Sequence, residues 1–233
     1  MRIAIIGSGQ VGSALAFGLA GSGHSVTLGT RDPAGAAVTA VARAAQARTA
    51  DPATAAASAE IVILALPWRV AEAAVGALGD LTGKTVIDCM NPLGMVDGAL
   101  ALTVGHSTSG GEIVQRWLPG ANVVKTLNQV GAEIMRSARD LPRPPVMFMA
   151  GDDAAAKASA ATLLCDLGFE PLDAGGIGKA RLLEPLGMVW INQALFRGKG
   201  RSWAFATVDL PPTAQTPTAQ TSAQDRAATA GRS

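Results

Sequence analysis

Cysteine, histidine, tyrosine and charge are all scarce in this chain of 233 residues. The two cysteines, Cys89 and Cys165, cannot build a disulfide framework or a zinc cluster, and they read as buried thiols of a reducing compartment. The two histidines, His24 and His106, have no carboxylate or thiol at ligand spacing, so no metal site is expected. Charged residues make up 16% of the chain and the net charge is +1. Its lysines, Lys84, Lys125, Lys157, Lys179 and Lys199, lie far apart, which removes the clustered cations that a nucleic-acid backbone needs. No apolar run approaches the ~20 residues of a membrane span. The run Ile3–Ile6 behind Arg2 is too short for a signal peptide and breaks at Gly7-Ser8-Gly9-Gln10. A soluble cytoplasmic protein acting on a small molecule is expected, with neither nucleic acid nor membrane as partner. Composition is silent on oligomeric state, and a homodimer stays open.

What the chain does have is apolar content, 48%, which excludes a disordered polymer. Short β-branched runs, at Ile3–Ile6, Ser25–Thr30, Ile61–Leu66, Thr85–Asp88, Asn122–Thr126, Val146–Ala150 and Phe169–Asp173, alternate with Ala-rich helical stretches. That order predicts an α/β fold, a doubly wound parallel sheet of the Rossmann kind with helices on both faces. Asp32-Pro33 and Asp51-Pro52 read as helix starts, with an acceptor at the cap and proline at the first helical position. Ser109-Gly-Gly-Glu112 reads as a capping box. Asp152 or Asp153 opens a helix that Gly168 closes, and a last helix is expected from Lys179 to about Phe196, with Pro185 and Gly187 as kink points. One domain should therefore span residues 1–210, with a small C-terminal α/β extension from about residue 146. Residues 211–233, rich in Pro, Thr, Ala and Gln, read as a disordered tail.

The chemistry begins at Gly7-Ser8-Gly9-Gln10-Val11-Gly12, which joins the first strand directly to a helix. Gly7 permits a tight turn, Gly9 lets a pyrophosphate approach the backbone, and Gly12 lets the helix pack against the strand. The helix N-terminus then offers free N–H groups to the phosphates. At the end of the second strand, where an NAD site places a carboxylate for the ribose 2′-hydroxyl, this chain has Gly29-Thr30-Arg31. Thr30 supplies a hydroxyl and Arg31 a planar cation suited to a 2′-phosphate, which favours NADP(H). The alternative for Arg31 is a solvated surface charge, and Asp32 would repel that phosphate unless it caps a helix.

Further along, Leu66-Pro67-Trp68 ends the strand expected to flank the reversal of strand order, and it either covers the cofactor or merely plugs a helix start. Asn91-Pro92 and Thr126-Leu127-Asn128 fall at the carboxyl ends of strands, where nicotinamide and substrate should meet. Asn128 either orients a carboxamide or terminates its strand. Lys125 is a conceivable proton donor if it faces the site, whereas His106 sits in a Gly-Ser-rich loop and reads as a surface residue. No nucleophile elbow, paired carboxylates or Ser–Tyr–Lys set is recognisable, so no catalytic residue is assigned. A carbonyl reductase needs a proton donor beside the developing alkoxide, whereas a flavin-like ring delocalises the arriving charge itself.

These residues resemble the NADP-dependent reductases of coenzyme F420, a deazaflavin, and related dinucleotide-binding oxidoreductases. The resemblance spans about Met1 to Val208. It rests on Gly7–Gly12, Gly23-His24-x-Val26, Gly29-Thr30-Arg31, Leu66-Pro67-Trp68, Val124–Asn128, Gly151-Asp152-Asp153, Pro171–Gly175 and Arg181-Leu182-Leu183-Glu184. It implies NADP(H) lying across the glycine turn and Thr30-Arg31, with deazaflavin as co-substrate stacked near the nicotinamide. Hydride would pass between the rings with little help from side chains. Arg69-Val70 stands where reductases of this kind carry an acidic or histidine pair, and Asn91-Pro92 and Thr126-Leu127-Asn128 match the ring-binding segments of the deazaflavin enzymes only loosely. That leaves room for reduction of a flavin, quinone, metal chelate or small C=N or C=O compound, or for an NADP-sensing module without turnover.

Overall fold

The computed structural model describes residues 1–210, so the tail expected over 211–233 lies outside the described residues. Ten strands and eight α-helices run along those residues. They are β1 (Arg2–Ile6), α1 (Gln10–Gly18), β2 (Ser25–Gly29), α2 (Ala36–Ala44), β3 (Arg48–Ala50), α3 (Pro52–Ser58), β4 (Ile61–Leu64), α4 (Trp68–Gly76) and β5 (Thr85–Asp88). There follow β6 (Leu93–Val96), β7 (Ala99–Leu102), α5 (Gly110–Trp117), β8 (Asn122–Lys125), α6 (Ala132–Ser137), β9 (Val146–Gly151), α7 (Ala154–Leu167), β10 (Glu170–Asp173) and α8 (Ala180–Ile191).

Eight strands form one sheet in the order β10-β9-β8-β5-β4-β1-β2-β3, while β6 and β7 pair separately as a hairpin. The chain winds outward from β1 to β3 on one side and from β4 onward on the other. Strand order therefore reverses between β1 and β4, and the crevice above their carboxyl ends is the expected ligand site. Alternate residues feed two cores: Ile3, Ile5, Ile61, Ile63, Ile87 and Val124 pack on one face. Ala4, Ile6, Val62, Leu64, Val86 and Val123 pack on the other. With both faces covered, these strands read as continuous apolar runs.

The sheet departs from the expected parallel order at one junction. β9 runs antiparallel to β8, and β10 then pairs parallel to β9, so the C-terminal extension continues the main sheet. The strand β3 and the β6–β7 hairpin were invisible in the sequence pattern because neither is a buried β-branched run. The hairpin turn, Asp97-Gly98, has φ of 49° and 78°, the two positive angles of a tight two-residue connection. Asp32-Pro33 does not start a helix, since α2 begins at Ala36 behind Gly35. Asp51, Ser109 and Asp153 do cap α3, α5 and α7, accepting from the N–H of Thr54, Glu112 and Ala156. Gly168 closes α7 in the left-handed region at φ 94°. The last helix ends at Ile191 and continues as a π-helical turn, Asn192–Phe196. Cys165 is exposed rather than buried. Among the described residues no helix is long and apolar enough to cross a membrane, and no His, Cys, Asp or Glu cluster could hold a metal ion.

Candidate dinucleotide site at the carboxyl edge of the sheet

The turn between β1 and α1 shows why its three glycines are glycines. Gly7 has φ 111°, and a Cβ there would lie 2.3 Å from the Ala65 carbonyl oxygen, so the backbones after β1 and β4 touch. At Gly12 a Cβ would meet the Gly7 oxygen at 1.9 Å, so only glycine lets α1 rise this close to its own turn. Gly9 is different, because nothing lies within 4 Å of a Cβ built on it. Gly9 is also the N-cap of α1, and no side chain caps that helix. The first-turn N–H groups around Gln10 and Val11 are thus open to an external anion, in a helix end that carries partial positive charge. Gln10 is exposed and Val11 half-buried beside the turn.

On the β2 side, Ser8 Oγ donates to Thr30 Oγ1 at 3.2 Å, and Thr30 N–H continues the sheet by donating to the Ala50 oxygen at 3.0 Å. Arg31 follows directly and is exposed. The carboxylate of Asp32 lies over Gly35, where a Cβ would meet its Oδ2 at 2.6 Å. On the β4 side, Leu66 packs against Gly7, Pro67 is the N-cap of α4, and Trp68 opens that helix. Trp68 stacks on Trp117 of α5, with ring centroids 5.4 Å apart, so its ring is engaged in holding α4 to α5.

At the far end of the crevice the expected polar residues turn inward. Asn91 and Asn128 are tied twice: Asn91 Nδ2 donates to the Asn128 main-chain carbonyl at 2.8 Å, and Asn128 Nδ2 donates to Asn91 Oδ1 at 3.0 Å. Asn128 also donates to the Leu183 carbonyl and accepts from Gln129, so both amide hydrogens are used inside the protein. Thr126 is fully buried and its hydroxyl donates to the Phe148 carbonyl. In this structure Asn128 and Thr126 therefore act as braces between the loop, α8 and β9. Pro92 is buried with its Cδ facing Gly110. Between the braces Leu127 is buried and held at φ 58°, a conformation that costs about 1–3 kcal/mol for such a residue.

Beneath these braces lies a feature that sequence reasoning missed. Lys125, Asp88 and Glu184 are all buried, at 0%, 0% and 1% exposure. Lys125 Nζ lies 3.0 Å from Asp88 Oδ2 and 3.0 Å from Glu184 Oε1, and it also donates to the Met90 carbonyl. The Glu184 carboxylate in turn accepts from the N–H groups of Gly110 and Gly111 at 2.9 and 3.0 Å, filling the N-terminus of α5. Burial works against the Lys125 ammonium, but the two carboxylates outweigh it and hold its pKa above the usual lysine range. Lys125 is thus fully enclosed, with its ammonium engaged by Asp88, Glu184 and the Met90 carbonyl rather than by the crevice. Neighbouring Cys89 donates to the Leu64 carbonyl, and burial, with Asp88 adding to it, pushes its thiol up to about 12, so it is no nucleophile. His106 is exposed, as expected.

Comparison with known proteins now decides the family. Residues 2–92, from β1 to Pro92, match the family described as NADP oxidoreductase, coenzyme F420-dependent. A crystal structure of a proposed F420-dependent NADP reductase from Arthrobacter sp. FB24 is 37% identical and superposes with a TM-score of 0.80, over 90% of this chain and all of that one. The chain belongs to the coenzyme F420-dependent NADP oxidoreductase family. It is accordingly an NADP-dependent oxidoreductase by family. A hypothetical protein of Sinorhizobium meliloti is 29% identical with a TM-score of 0.68, covering 77% of this chain and 88% of that one. The rat metalloreductase STEAP3 is 30% identical over 187 residues, which are 79% of this chain but 36% of the relative. This chain thus spans about a third of that curated relative. An imine reductase of Myxococcus stipitatus solved with NADP+ is 19% identical, with a TM-score of 0.64 over 84% of this chain and 63% of that one, and it shares the fold.

The structure also explains the family's C-terminal marks. Asp152 accepts from Ile177 N–H at 2.9 Å, and Asp173 accepts from Gly175 N–H at 2.8 Å, so both motifs shape turns at the sheet edge. Arg181 donates twice to Glu112, at 2.8 and 2.6 Å, and Glu184 reaches Lys125. These residues fasten α8 across the carboxyl edge.

Proposed function

We propose that this oxidoreductase binds NADP(H) across Gly7–Gly12, Thr30 and Arg31, and exchanges hydride with a deazaflavin of the F420 type. The observation that carries the reading is the empty space at Gly9 before an uncapped α1, beside Ser8, Thr30 and an exposed Arg31 that makes no salt bridge among the described residues. Phosphates would take the first-turn N–H groups, and Arg31 with Thr30 would take the 2′-phosphate. Leu66 and Pro67 would wall the crevice on its other side. Asn91 and Asn128 would hold the loop floor rigid rather than touch the substrate.

The chemistry of the floor supports a ring acceptor. Bound NADPH supplies a hydride, and a deazaflavin takes it on a ring carbon together with one proton from solvent. The protein then has only to align two flat rings, which is a matter of positioning. Lys125, the lysine beneath the floor, is fully buried among carboxylates and so is held away from the position of a developing alkoxide. Likeness to a metalloreductase favours a second reading, reduction of a flavin or ferric chelate at the same crevice. The test is absorbance of the protein mixed with NADPH and oxidised F420, with NADH in parallel and ferric citrate or flavin as alternative acceptors. Loss of the deazaflavin band with NADPH supports the first reading. Persistence of that band, with NADPH oxidised only by another acceptor, supports the second. Tight NADPH binding without turnover of any acceptor would leave a sensing module.

A further inference from the structure

Three charges are buried where two adjacent strands of the sheet end, and hydride exchange between two rings uses none of them as acid or base. Asp88 closes β5 and Lys125 closes the neighbouring β8, in register opposite each other. Glu184 reaches the same lysine from α8. A buried ion cluster is weak evidence for stability, because well-packed apolar side chains of similar volume often hold a core as well. The hydrogen bonds of this cluster point to the floor above it. Asp88 Oδ1 accepts from Met90 N–H at 2.9 Å while the Lys125 ammonium donates to the Met90 carbonyl, so one residue is gripped at both ends. The next residue is Asn91, which is tied twice to Asn128. Asn128 donates in turn to the carbonyl of Leu183, the neighbour of Glu184. Both floor segments are thus fixed relative to the three charges.

Two carboxylates and one ammonium leave a net charge of −1. Glu184 also faces the N-terminus of α5, whose partial positive charge of about 0.5 offsets part of it. The outer tie between α5 and α8, Arg181 with Glu112, is neutral as a pair. A dinucleotide lies with its halves on either side of the reversal of strand order. Thr30 and Arg31 mark the β2 side for the adenosine half, so the nicotinamide half falls over the ends of β4, β5 and β8. We propose that Asp88, Lys125 and Glu184 form a redox-tuning charge beneath the nicotinamide, favouring bound NADP+ over bound NADPH and making the bound nucleotide a stronger reductant. The inference rests on NADP(H) spanning Gly7–Gly12 and Arg31. Loss of hydride, two electrons with one proton, takes the nicotinamide ring from neutral to +1, and the hydride ends on the ring carbon of the acceptor. A fixed negative charge below the ring stabilises that cation and acts little on the neutral form. All three side chains are fully enclosed, so salt screens them little.

The test is the ratio of the dissociation constants of NADP+ and NADPH, read by calorimetric titration of the full chain with no acceptor present. Glu184→Gln takes the cluster from −1 to zero. It should weaken NADP+ relative to NADPH by about three- to tenfold, with the ratio holding as salt is raised. Binding of 2′-phospho-ADP-ribose, which lacks the nicotinamide ring, should stay within about twofold of wild type, since its anchors lie on the β2 side. Circular dichroism verifies folding, and Asp88→Asn makes the same change of charge from another strand. Lys125→Met combined with Glu184→Gln removes the ion pair yet restores a net charge of −1. Its ratio should return toward the wild-type value even though its stability is lower. A merely structural role would weaken both nucleotides alike and make the double variant worst, which overturns the inference. So does a ratio within twofold of wild type in both Glu184→Gln and Asp88→Asn. A wild type that binds neither nucleotide removes the nucleotide reading itself, and this inference with it.

Discussion

At the scale of single residues, the glycine turn separates folding from binding. A methyl at Gly12 would collide with the Gly7 carbonyl, whereas a methyl at Gly9 would enter open space. Gly12→Ala should therefore cost about 3 kcal/mol, the upper end of the usual overpacking range, in urea unfolding. Gly9→Ala, at φ −74°, should stay within about 1 kcal/mol of wild type and yet weaken NADPH binding tenfold or more, because its methyl stands where phosphate would lie. Equal stability loss in both variants would remove the pyrophosphate assignment. Arg31→Ala should weaken NADPH far more than NADH, by about ten- to a hundredfold, since hydrogen bonds to a charged group contribute about 1.5–3 kcal/mol. Parallel loss for the two nucleotides in fluorescence titrations would defeat the 2′-phosphate contact. The glycine turn and the end of β2 were legible in the sequence because both are local features. Asn128 was not, because whether its amide faces a ligand or Asn91 depends on a residue 37 positions away.

At the scale of elements, the carboxyl edge is tied together by charges that the sequence pattern disguised. Lys125 ends an apolar strand and Asp88 ends the neighbouring one, in register opposite each other. A charge at the end of a strand covered on both faces must be paired, and that was the available signal. Glu184 could not be placed without the tertiary packing of α8. Lys125→Met should leave two buried carboxylates without their cation, costing about 3–5 kcal/mol. Urea midpoints at pH 7 read the loss, and a change under 1 kcal/mol would mean that the cluster is solvated. The outer tie between α5 and α8 titrates differently. Arg181's hydrogen bonds hold the Glu112 carboxyl below the usual glutamate range. A carboxyl depressed on folding stabilises the protein above its unfolded pKa of ~4.3, and that contribution fades as pH falls through the folded value. Glu112→Gln should accordingly be less stable than wild type at pH 7, with the gap closing below about pH 4. A gap unchanged down to pH 3 would contradict the ion pair.

At the scale of the whole molecule, the doubly wound order follows from alternation of buried strands and helices, and it places the crevice between β1 and β4. What the pattern did not convey was β9 reversing direction, because an antiparallel edge strand is as apolar as a parallel one. That reversal lets α8 return across the carboxyl edge, where its inner face meets the site and its outer face is left apolar. The crevice walls come from the turns after β1, β2 and β4, so only the assembled sheet can bind the nucleotide. A ligand that binds the folded state alone stabilises it by ~2.7 kcal/mol at a hundred times its Kd. For a chain of this size ~1 kcal/mol moves the midpoint by about 2–4 °C, so saturating NADPH should raise Tm by roughly 5–10 °C. NADH at the same concentration should raise it less, and in Arg31→Ala the two nucleotides should become nearly equal. Scanning fluorimetry of all four combinations reads the assembled crevice and its 2′-phosphate contact in one experiment. A rise with NADPH that survives unchanged in Arg31→Ala would keep the crevice and move phosphate recognition elsewhere, whereas no rise with either nucleotide would remove the crevice itself.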